Sequence, residues 1–229
     1  MNKILILLFS ILISFNSYGE EIELDSSLDS YCNRLPTVKI INGLYYHPNK
    51  EKPYSGENLC VYLSNGQYYL QGEIKKGHRD GTWTYWYENG QIKTEEHWKD
   101  GVLGGILTNW NEDGSKESEQ NYKNFQYDGK SIVWHENGQI DYEKNYKDGR
   151  LNGKVTFWHE NGQKFFEGNY KDGKRDGKWI FWKNNRKDEE RNYKDNDLVY
   201  KTIFKYSYFT GQLKSEKKYK DGKCISGDC

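Results

Sequence analysis

The sequence has no excess charge of either sign, because 34 lysines and arginines balance 34 aspartates and glutamates over 229 residues. Proteins that bind nucleic acid or anionic lipid through bulk electrostatics usually carry a clustered excess of Lys and Arg. The basic residues here are interleaved with acidic ones, as in Lys99-Asp100 and Lys147-Asp148. We therefore expect no nucleic-acid partner and no strong binding to a membrane surface.

Aliphatic residues are also scarce, and the mean hydropathy is −1.07. A two-layer domain needs enough apolar side chains to bury one face of every element, and this chain has too few for its size. Aromatic residues, at 16% of the sequence, must supply most of the buried area. The composition therefore predicts elements that associate side by side in a single layer.

Motifs that carry chemistry are missing as well. The sequence contains no His-Glu-x-x-His, no glycine-rich phosphate loop and no nucleophile elbow. We therefore predict no catalytic residue, no metal ligand and no cofactor.

The sequence contains instead a repeat with a period of 24 residues. Two residue types keep this spacing in one register: Gly66, Gly90, Gly114, Gly138 and Gly162, and Trp86, Trp110, Trp134, Trp158 and Trp182. Two independent series in one register indicate a repeat array.

Each copy reads as a β-hairpin. The segment 82–87, TWTYWY, is rich in aromatic and β-branched residues and predicts a strand, and Asn89-Gly90 favours a tight type I′ turn. A second strand, 92–98, ends at Lys99-Asp100-Gly101, which predicts a looser connection to the next copy. The sequence thus predicts an all-β fold, an elongated single-sheet array of antiparallel β-hairpins.

A two-residue turn at Asn89-Gly90 fixes the expected register. It pairs Tyr87 with Ile92, Trp86 with Lys93 and Tyr85 with Thr94. Alternation then places Trp86, Thr84, Lys93 and Glu95 on one face and Trp83, Tyr85, Tyr87, Ile92 and Trp98 on the other. In later copies the same register pairs Val133 with Tyr142 and Phe157 with Phe166.

The repeat also places similar polar residues in rows. Glu95, Glu119, Glu143, Glu167, Glu190 and Glu216 each lie three residues before an aromatic. Glycoside hydrolysis needs one pair of carboxylates in unequal environments, which a row of equivalent glutamates does not supply. His135 and His159 lie two strands apart, about 9.6 Å, which is too far to share one Zn²⁺ unless other ligands help. We interpret both sets as structural.

The chain divides by composition into four segments: 1–19, 20–41, 42–223 and 224–229. Residues 1–19 combine Lys3, an apolar run from Ile4 to Ile13 and small or polar residues up to Gly19, which is typical of a secretory signal peptide. Residues 20–41 show no repeat and predict an N-terminal arm or cap. Residues 42–223 hold about seven hairpin units, with Pro48 and Pro53 in a divergent first unit. An uncleaved N-terminal anchor is the alternative for residues 1–19.

The four cysteines lie outside the regular repeats or at their edges. In an exported chain an even number of cysteines suggests disulfides, and proximity favours Cys32 with Cys60 and Cys224 with Cys229, although three pairings are possible. Residues 224–229 would form a C-terminal disulfide loop that pins the last strand. The sequence contains no Cys-x-x-Cys motif, which a redox role would favour.

The five repeated tryptophans, Trp86, Trp110, Trp134, Trp158 and Trp182, have two interpretations. Indoles from neighbouring hairpins can pack on one another, which is the usual role of large aromatics. Alternatively, part of this row is exposed and stacks on a flat ligand such as a glycan, or on a protein.

The segment 177–182, GKWIFW, together with Asn-Gly-Gln and Tyr-Lys-Asp-Gly, resembles the MORN repeat variant. The run from Leu44 onward is similar to bacterial MORN-variant proteins often labelled as antitoxin components of toxin–antitoxin systems. The resemblance implies a repeat fold without catalytic residues. The antitoxin label implies a toxin partner in the cytoplasm.

Three functions follow as hypotheses. The first is an exported, periplasmic, envelope-bound or secreted scaffold that presents a sheet face to a protein partner or to a copy of itself. The second is a binder of envelope glycan or peptidoglycan that uses the tryptophan row. The third, the antitoxin, requires that residues 1–19 are not a signal peptide.

Overall fold

The computed structural model describes residues 30–32, 39–46, 50–62, 64–227 and 229, so the predicted signal peptide lies outside the described part of the chain. Within that part the regular structure is strand, with no helix. The strands are β1 (Ser30–Cys32), β2 (Lys39–Ile41), β3 (Leu44–Tyr46), β4 (Gly56–Tyr62), β5 (Tyr68–Lys75), β6 (His78–Trp86), β7 (Ile92–Lys99), β8 (Val102–Leu103), β9 (Gly105–Trp110), β10 (Lys116–Lys123), β11 (Gln126–Trp134), β12 (Ile140–Lys147), β13 (Arg150–Leu151), β14 (Gly153–Trp158), β15 (Lys164–Lys171), β16 (Lys174–Arg175), β17 (Gly177–Lys183), β18 (Arg186–Lys194), β19 (Asp197–Tyr206), β20 (Leu213–Lys220) and β21 (Lys223–Ser226).

Nineteen of these strands form one antiparallel sheet. From β4 onward each long strand pairs with the long strands before and after it in the sequence, and β1 pairs with β4 at the N-terminal end. The short strands β8, β13 and β16 each precede β9, β14 or β17, from which one residue at or beside a glycine separates them. Each short strand pairs with the same neighbour as the longer strand after it, so that β7 pairs with both β8 and β9. The predicted fold class, an array of hairpins in one sheet, is confirmed.

The geometry predicted for the turn at Asn89-Gly90 is wrong. At Asn89-Gly90 only the glycine has positive φ, at 84°, and the Tyr87 amide donates to the Gln91 carbonyl. This is a three-residue loop, which pairs Trp86 with Ile92, and a bulge at Lys93 then shifts the register so that Tyr85 pairs with Thr94. The predicted Tyr85–Thr94 pair is present, whereas the Trp86–Lys93 and Tyr87–Ile92 pairs are not.

The two-residue type I′ turn lies at the connection predicted to be loose. Asp100 and Gly101 both have positive φ, 48° and 79°, and Lys99 pairs with Val102 across them. This geometry demands two residues that tolerate the left-handed region, which Asp-Gly supplies. The two turns of each repeat therefore exchange the roles that the sequence suggested.

The two faces of the sheet differ in character. We name as the core face the one that carries Trp83 and Tyr85, and as the ladder face the one that carries Thr84 and Trp86, because side chains alternate along β6. The cross-strand pairs Val133–Tyr142 and Phe157–Phe166 are present as predicted, and both lie on the core face.

Two small clusters on the core face are fully buried. One contains Ile74 and Trp83, and the other contains Val155, Trp179 and Tyr193. Trp83 and Trp179 lie four periods apart, and each indole covers a glycine on the neighbouring strand, Gly72 or Gly168, where an added Cβ would meet the ring. These glycine slots were not predicted, although a glycine eleven residues before each tryptophan is visible in the sequence.

Candidate functional site

Two groups of aromatic rings lie on the core face: Tyr122, Tyr127 and Tyr146, and then Tyr142, Phe157, Phe166 and Phe181, of which the phenylalanines pack against the Val155–Trp179–Tyr193 cluster. Neighbouring ring centroids are 4.7 Å apart for Tyr122–Tyr127, 4.9 Å for Tyr127–Tyr146, 5.3 Å for Tyr142–Phe157, 4.4 Å for Phe157–Phe166 and 5.8 Å for Phe166–Phe181. These seven side chains are only partly buried. We call this set the aromatic row.

Cations lie over the rings of the aromatic row. The Lys144 ammonium is 3.7 Å from the centre of the Tyr142 ring, and the Arg191 guanidinium is 4.5 Å from that of Phe181. Burial lowers the pKa of Lys144 from its ordinary value. Tyrosine, phenylalanine and arginine are enriched in the centres of protein–protein interfaces, which makes this composition suitable for binding another protein.

The described part of the chain places no second layer over the aromatic row. The hairpin of β2 and β3 packs on the N-terminal end of the core face, where Tyr45 contacts the Ile74–Trp83 cluster and accepts a hydrogen bond from Arg79 at 3.3 Å. The other strands of the described chain belong to the single sheet itself. No second layer formed by described residues therefore covers the rings from Tyr122 to Phe181.

The five tryptophans singled out by the sequence lie on the ladder face and are partly buried. They do not stack on one another, because each lies two strands from the next and, among the described residues, no ring contact joins two of them. Other side chains cover them: the Tyr68 ring lies 5.7 Å from Trp86, and Lys116 and Lys164 lie over Trp134 and Trp182. The predicted indole-on-indole packing is thus replaced by packing against the adjacent strand.

The edge of the sheet at the bulged turns carries a hydrogen-bonded series of asparagines. The Asn89 side chain accepts from the Gln91 amide and donates from Nδ2 to the Glu112 carbonyl of the next repeat, at 2.9 and 2.7 Å. Asn65 makes the same two contacts with its own turn and with Glu88. These bonds tie successive repeats together, which explains the recurrence of asparagine at this position.

A shallow depression lies at this edge beside Trp158. It is lined by His135, His159, Asn161 and Asn184 among others. The turn at Asn184-Asn185 has two residues of positive φ and so differs from the bulged turns before it. This change of turn type interrupts the asparagine series at the depression.

The two histidines have separate contacts. His135 Nε2 lies 3.2 Å from the Trp158 carbonyl, and the His159 ring packs 4.9 Å from Phe165. No group of three or more potential metal ligands occurs among the residues that the structure describes. Nor does that part of the chain contain a helix long and apolar enough to span a membrane.

Four glutamates of the ladder face, Glu119, Glu143, Glu167 and Glu190, are ion-paired with lysines. Glu167 Oε2 lies 3.0 and 2.9 Å from the Lys154 and Lys164 ammonium groups, and Glu190 contacts two lysines of its own at 3.1 Å. Burial alone would raise the pKa of Glu167 and Glu190, but hydrogen bonds from the paired lysines outweigh it and lower both. A glycosidase acid needs a raised pKa, so these two residues have the opposite electrostatics.

These ion pairs give the fold a dependence on acid. The depressed pKa of Glu190 contributes stability above the ordinary value near 4.5, and this contribution is lost as the pH falls through the folded-state pKa. We expect Glu190→Gln to reduce the loss of stability between about pH 5 and pH 3 by about 0.5–1 kcal/mol, since the lysines are half exposed. Urea denaturation at both pH values measures this, with the exposed Glu88→Gln as the control. Equal acid sensitivity in the two variants would contradict the assignment.

The structure contains the Cys224–Cys229 disulfide, as predicted. The disulfide links Cys224 in β21, the last strand of the sheet, which pairs with β20, to the C-terminal residue of the chain. Cys60 is also disulfide-bonded, and its backbone partner in the β1–β4 ladder is Cys32, whose side chain lies outside the described part of the chain. The Cys32–Cys60 disulfide stays a prediction. Disulfides are typical of oxidising compartments.

Comparison with known families identifies the repeat. The family model of the MORN repeat variant matches four tandem segments, 79–100, 103–124, 127–148 and 151–172. Each matched segment covers one hairpin and its bulged turn, so the chain contains four tandem MORN-variant repeats. Such repeats generally act as non-enzymatic scaffolds for interaction with proteins or membranes. The match supports no antitoxin role, and no curated protein matches the chain.

Proposed function

We propose that this chain, an array of MORN-variant repeats, is an exported, non-enzymatic scaffold that binds a protein partner through its core face. The aromatic row carries the proposal, because the rings in each of its two groups contact one another, are partly exposed and have no described layer over them. Contiguous exposed apolar surface rimmed by polar residues marks interaction sites in soluble proteins. The ladder face, with its regular ion pairs, is less suited to this role.

Export is supported by the signal-peptide pattern of residues 1–19 and by the Cys224–Cys229 disulfide. Intact mass spectrometry of the chain from separated cell fractions tests it. We expect a chain that begins at Glu20 in an exported fraction, with its thiols protected until reduction. A full-length cytosolic chain with free thiols would contradict export and make the antitoxin hypothesis the one to test.

Capture of a partner by face-specific variants tests the binding surface. The core-face variant, Tyr127→Gln with Tyr146→Gln, interrupts the aromatic row, and the ladder-face variant, Trp134→Gln with Trp158→Gln, leaves it intact. We expect crosslinking in an envelope fraction to join one protein to the wild type and to the ladder-face variant, and at least tenfold less of it to the core-face variant. Thermal melting of all three chains checks that they are folded. Equal recovery with both variants, or no specific protein with any chain, would reject the core face as the binding surface.

The depression beside Trp158 favours glycan binding as a second candidate. The Trp158 side chain, two imidazoles, three amides and the Glu160 carboxylate lie around it, and this mixture of a flat apolar surface with hydrogen-bonding groups is suited to a sugar ring. Co-sedimentation with purified cell-wall material at low salt tests this function. The glycan hypothesis requires the ladder-face variant to lose binding and the core-face variant to retain it, and it fails if the wild type stays in solution.

A further inference from the structure

A second depression lies near the C-terminal end of the array and is strongly basic. It is lined by Lys183, Arg186, Lys187, Lys205, Phe204 and Tyr206, with Asp188 as the carboxylate among the lining residues. These residues come from the adjacent strands β17, β18 and β19 and from the turn between the first two. We call it the basic depression.

Most of the positive charge in the basic depression is not neutralised. Lys187 pairs with Glu190 at 3.1 Å, whereas Lys183, Arg186 and Lys205 are exposed and make no ion pair with any residue in the described ranges. The Arg186 guanidinium lies 5.5 Å from the centre of the Tyr206 ring, and Lys187 lies 5.0 Å from that of Phe204. Cations on an aromatic floor form a surface that attracts carboxylates flanked by apolar side chains.

The charge of the chain is divided between its ends, although its total is zero. Residues 177–229 contain 13 basic and 8 acidic residues, and residues 1–176 contain 21 basic and 26 acidic ones. The ten residues before β1, 20–29 or EEIELDSSLD, have five carboxylates and no basic side chain. Within them Glu21, Glu23 and Asp25 alternate with Ile22 and Leu24.

β1, the strand that follows the acidic segment in the sequence, lies at the N-terminal end of the sheet, and the basic depression lies near the opposite end. Twelve strand-to-strand steps separate β1 from β18, which is about 58 Å along the sheet at about 4.8 Å a step. Ten residues span at most about 36 Å. Measured along the sheet, the segment of one molecule therefore falls short of its own basic depression.

We propose that the acidic segment 20–29 of one copy binds in the basic depression of a second copy, so that the chain associates end to end. Its carboxylates meet Lys183, Arg186 and Lys205, and Ile22 and Leu24 contact the aromatic floor. The adjoining turn adds apolar surface, since Tyr208 and Phe209 are 94% and 93% exposed on the hairpin that also carries Tyr206. This junction goes beyond the proposed function and is independent of the core face.

Charge exchange tests the junction in the full chain beginning at Glu20. Sedimentation velocity of the wild type should show concentration-dependent association that weakens when NaCl rises from about 0.05 to about 0.5 M. The depression variant, K183E/R186E/K205E, and the segment variant, E21K/E23K/D25K, should each associate at least tenfold more weakly than the wild type. An equimolar mixture of the two variants should associate again, because each then supplies the charge that the other has reversed.

The variant K123E/K171E/K174E is the matched control. It changes the net charge of the chain by the same amount at exposed lysines that form no ion pair within the described chain, and it should associate like the wild type. The core-face variant should also associate normally, so failure of the proposed function can be told from failure of this junction.

Three results would overturn the junction. They are a wild type that stays monomeric at every concentration, a depression variant that still associates, and a mixture that does not recover. Binding to vesicles of phosphatidylcholine with phosphatidylglycerol, lost in the depression variant and without any self-association, would assign the basic depression to a lipid headgroup instead.

Discussion

Replacement of Trp179 by alanine should lower the free energy of unfolding by about 3–5 kcal/mol, the cost of removing a fully packed indole. Trp179 is 5% exposed, its ring lies 5.2 Å from Tyr170 and 5.7 Å from Phe166, and its Nε1 donates to the Asn169 carbonyl at 3.2 Å. Because the sheet is a single layer, no second layer of described residues can collapse into the cavity that the substitution leaves. Urea denaturation followed by far-ultraviolet circular dichroism measures the loss.

Trp134→Ala is the control for this prediction. Trp134 belongs to the five repeated tryptophans, but it is only partly buried and Lys116 covers its ring at 5.6 Å. We expect a loss of about 1–2 kcal/mol, in proportion to the smaller apolar area that it buries. Equal losses at Trp134 and Trp179 would show that the repeated tryptophans, and not the glycine slots, hold the array together.

Gly72→Ala should destabilise the protein by about 2–3 kcal/mol, although alanine is usually the better residue inside a strand. A Cβ at this position lies 2.6 Å from Trp83 Cγ and closer to two other indole atoms, and Trp83 is 0% exposed and cannot move aside. Thermal melting measures the change. Gly104→Ala is the control, since the nearest atom to its Cβ is the Tyr122 carbonyl oxygen at 3.8 Å, and we expect a change within about 0.5 kcal/mol.

A double variant separates the steric cause from a general effect on β5. The later repeats have Val155 and Leu107 at the position of Trp83, facing Lys144 and Glu96 at the position of Gly72. We therefore expect Gly72→Ala to cost much less in a Trp83→Val background, with non-additivity above about 1 kcal/mol. Additive effects would show that Trp83 is not what excludes the alanine side chain.

Strand order and turn positions were predictable because the repeat states them several times over. Two residue types at a period of 24 set the length of the unit, and the Asn-Gly and Asp-Gly pairs mark both of its turns. The register was predicted only in part. Asn-Gly fits both a type I′ turn and a bulged three-residue loop, so this pair of residues alone does not fix the register.

The candidate surfaces were predicted less well. The periodic tryptophans could be named as a candidate surface because a period is visible in a sequence, whereas the aromatic row follows from Tyr122, Tyr127 and Tyr146 meeting across strands that lie at varying sequence distances. The basic depression depends on Lys183 and Lys205, which are 22 residues apart and meet only in the folded sheet. Net charge gave no sign of it, since the total is zero.

Composition and period are sufficient to predict a single-layer array of β-hairpins, because scarce aliphatic residues exclude a two-layer core and a fixed period repeats one local unit. Which aromatics are buried depends on the folded sheet. Burial in one layer depends on what the adjacent strand offers, and an indole becomes fully enclosed only where that strand presents a glycine, as Gly72 and Gly168 do. The positions of the aromatic row and of the basic depression depend on strand register and on distances between strands, which no single segment encodes.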